Sequence, residues 1–214
     1  VTARLLDVRR HADPVARVLV LHGGQQHGTE PTSWRQLSVL RSRVLASAVA
    51  RAGARHRVDV RLLRYAARGW NDGAPLRDAR WALEQLRAED PEVPTGLLGY
   101  SMGGRAALRL GGEVDTVVTA AAWVDRADLP LLRPPRSGRV LLLHGARDEV
   151  TSPEGTLAAA DRLRALGADV SVRTDLADTH GLVRHARTWH RLAGAYLVGT
   201  LTGSTRERQG RAAE

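Results

Sequence analysis

Thr95-Gly96-Leu97-Leu98-Gly99-Tyr100-Ser101-Met102-Gly103-Gly104, continuing into Arg105-Ala106-Ala107-Leu108-Arg109-Leu110 and closed by Gly111-Gly112, decides the fold. Thr95 to Gly99 is a very short apolar strand, and Met102 to about Leu110 is a helix. Between them Gly99 to Gly103 matches Gly-x-Ser-x-Gly. A serine on so sharp a strand-to-helix turn needs small neighbours, because the backbone is strained and the helix packs close to it. The turn aims the hydroxyl outward at a helix N-terminus, where backbone donors favour negative charge. The bare pattern also describes a helix-capping serine or a phosphate-binding loop. The strand before it and the helix after it favour a nucleophile.

Strand and helix alternate outward from this turn. Upstream, Val15 to Leu21 is a nearly continuous apolar run ending at His22-Gly23-Gly24, as a buried strand does. Leu37 to Ala50 repeats its apolar positions at three- and four-residue steps and stops at Gly53. Val58 to Leu63 alternates with charged residues and enters the turn-rich Arg68-Gly69-Trp70-Asn71-Asp72-Gly73. Pro75 to Glu89 is a helix with Leu76, Ala79, Leu83 and Leu86 on one face. Downstream, Val114 to Ala122 and Arg139 to Leu143 are buried strands with no room for a cap domain between them. Ser152-Pro153 opens a helix closed by Gly167, Val170 to Thr174 is a last strand, and a final helix runs from His180 to about Leu201. This pattern predicts a single α/β domain over residues 1–201, a mostly parallel central sheet with helices on both faces, followed by a polar tail over 202–214. In such sheets ligands collect beyond the carboxyl ends of the strands, so catalytic groups belong in the loops that follow strands.

Composition narrows the function classes. The chain has 214 residues, no Phe and one Met, so Leu, Val and Ala build the core, with five Trp as large fillers. All 32 basic residues are Arg, and against 23 acidic residues they leave a net charge of +9. These Arg residues are scattered without a dense run or interleaved aromatics, which argues for a solvated surface and against nucleic acid. With no cysteine, disulfides and thiolate metal sites are excluded, and a cytoplasmic setting is the expectation. The start of the chain is too charged for a signal peptide, and no stretch approaches the ~20 apolar residues that span a bilayer. No metal-ligand spacing and no dinucleotide fingerprint occur, so no cofactor is expected.

A serine hydroxyl needs a base to take its proton and an acid to hold that base in the right tautomer. Of eight histidines, His180 stands in a polar loop after the last strand, where a side chain reaches across the strand ends. His185 and His190 fall within the final helix, and His56 precedes a strand and so belongs at the wrong end of the sheet. For the acid, Asp148 follows the apolar strand that ends at Leu143. Its rivals are Asp125, after the preceding strand, and Asp175 or Asp178, which suit capping of the final helix.

With Ser101, Asp148 and His180 in nucleophile, acid, histidine order, each after a strand, the chain resembles the α/β-hydrolase family over residues 15–200. In size and lack of a lid it is similar to the dienelactone-hydrolase and carboxylesterase-like branches, although the former commonly has cysteine where this chain has Ser101. The resemblance implies an oxyanion hole: His22-Gly23-Gly24 matches the family's loop, so Gly24 or Gln25 supplies one backbone donor and Met102 the other. Gln25-Gln26-His27 stands where the lipase version has a third glycine. Trp34, Trp70, Tyr100 and Trp123 lie in or beside loops at the same end and are candidates for lining a substrate pocket. The implied activity is hydrolysis of a small-molecule carboxylic ester through an acyl-enzyme. Thioesterase, peptidase and acyltransferase chemistry use the same machinery, and a non-catalytic binding module is the reading from another class.

Overall fold

The structure is a computed structural model that describes residues 2–211, with side chains as far as residue 203. The elements run β1 (Arg4–Arg9), β2 (Ala16–Leu21), α1 (Leu37–Gly53), β3 (Val58–Arg64), α2 (Ala74–Glu89), β4 (Thr95–Tyr100), α3 (Met102–Arg109), β5 (Thr116–Ala120), β6 (Arg139–Leu143), α4 (Pro153–Ala165), β7 (Asp169–Arg173) and α5 (Ala186–Arg211). Among the described residues the strands form one seven-stranded sheet in the order β1-β3-β2-β4-β5-β6-β7. Only β1 is antiparallel to its neighbour; the other pairs are parallel. Helices cover both faces, as the alternation of strand and helix requires. One apolar layer joins α2, α3 and α4 to the sheet through Leu83, Leu97, Ala106 and Leu163. The other joins α1 and α5 to it through Val49, Leu98, Trp189 and Leu197. Central β2 and β4 are buried along their whole length because both faces are covered.

Three features depart from the expectations above. First, Arg4–Arg9 is an edge strand, which its charged alternate positions conceal. Its presence explains why Asp59 and Arg61 of β3 are buried: Arg61 pairs with Asp7 and Glu89, and Asp59 accepts from the His11 backbone amide. Second, the final helix begins at Ala186 and not at His180. Leu182 holds a positive φ of 51°, which a helix cannot contain, and the buried Asp178 carboxylate collects the amides of Thr179, Arg184 and His185 and the Trp189 indole N–H. These bonds hold residues 179–185 as a loop, which frees His180 to stand over the sheet. Third, α5 continues past Thr202 to Arg211. Arg206, Glu207, Arg208 and Gln209 are good helix formers, and the rest of the expected tail, 212–214, lies outside the described residues.

Among the described residues no helix is long and apolar enough to cross a membrane. Leu98 has no exposed surface and sits in the central strand that carries Ser101. Leu98→Ala is expected to cost about 2–5 kcal/mol in urea unfolding. Leu37→Ala, at a side chain 61% exposed, is expected to change stability by less than about 0.5 kcal/mol.

Candidate active site

The loops after β2, β4, β6 and β7 meet at one end of the sheet. Ser101 follows β4 with φ 55° and ψ −118°, and the first turn of α3 begins at the next residue. A Cβ at Gly99 would strike the Gly103 carbonyl, and one at Gly103 would strike the Leu21 carbonyl, so the turn closes only around glycine. The Ser101 Oγ lies 3.1 Å from His180 Nε2, and His180 Nδ1 lies 2.8 Å from Asp148 Oδ2. The three residues singled out from the sequence are thus brought into one hydrogen-bonded series.

The same end of the sheet brings Gly24 against Met102. A Cβ at Gly24 would meet the Met102 side chain and the Arg68 carbonyl, so the loop after β2 reaches the head of α3 only with glycine there. Among the described residues the amides of Gly24 and Met102 have no acceptor, which leaves them available to a ligand. Gln25 is different and is removed from the donor set. Its N–H donates to the Arg68 carbonyl at 3.0 Å, because residues 25 and 69 form a β-bridge. His22 is closed to catalysis as well: its Nδ1–H donates to the Gly23 carbonyl, and Nε2 accepts from the Tyr65 amide. Burial pushes the His22 pKa down to about 4, against the Gly23 bond, so the ring is neutral and fixed.

No family model matches the chain, and no curated protein matches it. Solved structures do. A lidless α/β serine hydrolase from Xanthomonas campestris superposes with a TM-score of 0.66 at 21% identity, covering 90% of this chain and 88% of the other. A bifunctional acetyl ester-xyloside hydrolase from Caldicellulosiruptor lactoaceticus gives 0.67 at 16%, covering 91% and 86%. Est1E from Butyrivibrio proteoclasticus gives 0.65 at 14%, covering 92% and 93%, and is also known with ferulic acid bound. This is the α/β-hydrolase fold. The first of these is a hydrolase without a lid; here, among the described residues, the chain between β5 and β6 is a short 3-10 turn and loop.

Two residues of this site were not singled out from the sequence. His144 directly follows β6, has no exposed surface, and puts Nε2 3.1 Å from Asp148 Oδ2 and 3.0 Å from the Thr151 carbonyl. Two acceptors on Nε2 require its proton there, so Nδ1 accepts from the Thr156 hydroxyl at 2.7 Å. Thr151 Oγ1 lies 2.9 Å from Asp148 Oδ2, and the Val150 and Thr151 amides donate to Oδ1. The only signal in the sequence was the placement of His144 at a strand end, four residues before Asp148.

The remaining candidates have other partners. Trp70 and Trp123 clamp the Arg105 guanidinium, 4.2 Å and 4.3 Å from the two ring centroids, and Arg105 pairs with Asp125 and Asp128. Asp125, the rival acid, also accepts from the Trp123 indole and makes no contact with His180. Trp34 lies beneath the Arg64 guanidinium. Tyr100 is buried, and its hydroxyl donates to the His180 carbonyl. Among the described residues no group of three or more His, Asp or Glu side chains is arranged to hold a metal ion.

Burial alone would raise the Asp148 pKa, but donation from His144, His180 and the Thr151 and Val150 amides outweighs it and holds the carboxyl well below the usual range. A depressed folded pKa contributes stability that is present above the unfolded carboxylate value, near ~3.9, and lost as pH falls through the folded one. Urea unfolding across acidic pH is therefore expected to show wild-type stability falling more steeply below pH ~4 than that of Asp148→Asn, which has no carboxyl to protonate there. Parallel profiles would contradict this account of Asp148.

Proposed function

We propose that the protein is a serine hydrolase that cleaves a small carboxylic ester through an acyl-enzyme. The observation that carries this reading is the series Ser101 Oγ, His180 Nε2, His180 Nδ1, Asp148 Oδ2, with separations of 3.1 Å and 2.8 Å. Ser101 attacks the ester carbonyl carbon while His180 Nε2 takes its proton. The oxyanion that forms is stabilised by the Gly24 and Met102 amides, a reading supported by their having no other acceptor among the described residues. His180 returns the proton to the leaving alkoxide, and water then attacks the acyl-Ser101 ester by the same route, releasing the acid. Asp148 keeps the proton of the neutral imidazole on Nδ1, so that Nε2 is the basic nitrogen, and stabilises the imidazolium. The neighbours include an acetyl ester-xyloside bifunctional hydrolase and Est1E with ferulic acid bound, which makes acetyl and feruloyl esters the first substrates to try. A cytoplasmic setting belongs to the same proposal.

Turnover of chromogenic esters tests it. Ser101→Ala is expected to reduce hydrolysis to background with the fold intact. Asp148→Asn is expected to lower kcat by roughly a thousandfold or more through the tautomer effect, whereas Asp125→Asn stays within about tenfold of wild type, since Asp125 serves Arg105. Exchanged outcomes for the two aspartates would move the acid to Asp125.

An imidazole base works only when neutral, so kcat/KM should rise from acidic pH to a plateau. Asp148 remains ionised throughout and adds no second limb. His185→Ala and His190→Ala should keep rate and limb, while His180→Ala loses the activity. An active His180→Ala variant with an unchanged profile would exclude His180 as the base.

A further inference from the structure

Behind Tyr100, on the face of the sheet covered by α1 and α5, lies a cavity of about 200 Å³. Its walls come from Val44 and Leu45 of α1, Leu182 and Val183 of the His180 loop, and Ala186 and Trp189 at the head of α5. None of Ser101, Asp148 or His180 lines it. Tyr100, 3% exposed, is the wall residue next to Ser101 in the chain, and with none of the three catalytic candidates in the lining this is a compartment apart from the acyl pocket of the proposed reaction. Its mouth is framed by Val44 and Val183, two apolar side chains that are 53% and 66% exposed. Apolar surface left open around a concave apolar wall marks a place where something binds.

One charge enters this apolar space. Arg41 donates through Nη1 to the Tyr100 hydroxyl at 3.2 Å, and its Nη2 packs so close to Gly181 that a Cβ there would lie only 3.2 Å from it. Among the described residues no carboxylate lies within ion-pair distance of Arg41, so most donors of its planar fork are unspent. His190 lines the cavity too, but burial and then Arg51 lower its pKa, which leaves Arg41 as the single full charge at neutral pH. A dry apolar cavity of ~150 Å³ accepts one benzene ring. The space here therefore fits one ring or a short branched chain, with its anionic end at the guanidinium.

We propose that this cavity is a second binding site, for a small monocarboxylic acid with an apolar body, its carboxylate held by Arg41 and its body packed between Leu182, Val183 and Trp189. The inference stands on the cavity and Arg41 and does not depend on ester hydrolysis, although that reaction releases a molecule of this class beside the pocket. The hydrogen bonds from Arg41 to Tyr100 and from Tyr100 to the His180 carbonyl place the occupant next to the backbone of the proposed base.

Benzoate is the probe, with benzamide as its neutral isostere, in calorimetric titration of the full chain. Saturable benzoate binding is expected, with benzamide at least about tenfold weaker, because it offers no charge to the guanidinium. Arg41→Gln removes that charge. Val44→Glu, at an exposed helix position one turn on, gives Arg41 an internal carboxylate and blocks the same end. Both variants are expected to weaken benzoate by at least about tenfold; Val44→Glu leaves the Tyr100 bond intact and serves alone should Arg41→Gln not fold. A chain labelled at Ser101 by a fluorophosphonate should bind benzoate as the unlabelled chain does. Absence of saturation, unchanged affinity in Val44→Glu, or loss of binding on labelling would each overturn the proposal. Failure of the probe to label Ser101 would count against the serine hydrolase reading and leave the benzoate result standing.

Discussion

Ser101 holds a backbone conformation, φ 55° and ψ −118°, that residues with a Cβ rarely adopt, at a cost of about 1–3 kcal/mol. The surrounding structure supplies that cost. The Ser101 amide donates to the Ala120 carbonyl of β5, and its carbonyl accepts from Gly104, Arg105 and Trp123. Gly99 and Gly103 let α3 and the loop above β2 approach within contact distance of the turn. Because β4 lies at the centre of the sheet, with β2 on one side and β5 on the other, the turn is anchored from both directions. The hydroxyl therefore cannot relax back along the strand, and it stays at the N-terminus of α3 with the loops of β2, β6 and β7 around it.

The second constraint is a buried carboxylate. Asp148 is 8% exposed, so its charge is tolerable only because donors surround both oxygens. Each donor is itself fixed: the amides by the turn over residues 148–151, His144 by Thr156, and His180 by a loop tied to Asp178 and to the Tyr100 hydroxyl. This arrangement orients the His180 ring before any ligand arrives. It also explains why Asp125, equally placed by its position after a strand, is unsuited to the same task, being engaged with Arg105 and the Trp123 indole.

Much of this was legible in the residues. The apolar runs at Val15 to Leu21 and Arg139 to Leu143 read as buried strands because both faces are covered, and the glycines about Ser101 announce a close approach of backbones. Positions after strands singled out Ser101, Asp148 and His180, which the fold brings within hydrogen-bond distance of one another. What stayed hidden depends on partners remote in sequence. Arg4–Arg9 pairs only with an edge, so its charged residues masked it. The Gln25 amide is spent on Arg68, a contact across a loop that no spacing reveals. His144 and Thr151 matter through the carboxylate they face. Leu182 carries a positive φ that its residue type argues against, and with it the final helix starts at Ala186. Trp70 and Trp123 were legible as aromatics near the site, while their common partner, Arg105, was not.

The account rests on Ser101 becoming covalently acylated. Rapid mixing with a chromogenic ester, acid quench and peptide mass spectrometry measure this directly. The account predicts a burst of released alcohol approaching one equivalent per chain where deacylation is the slower step. It also predicts a mass increase equal to the acyl group on the peptide containing Ser101, absent when His180 is replaced by alanine. Ester hydrolysis with the Ser101 peptide unmodified, or with the acyl group on another residue, would contradict it.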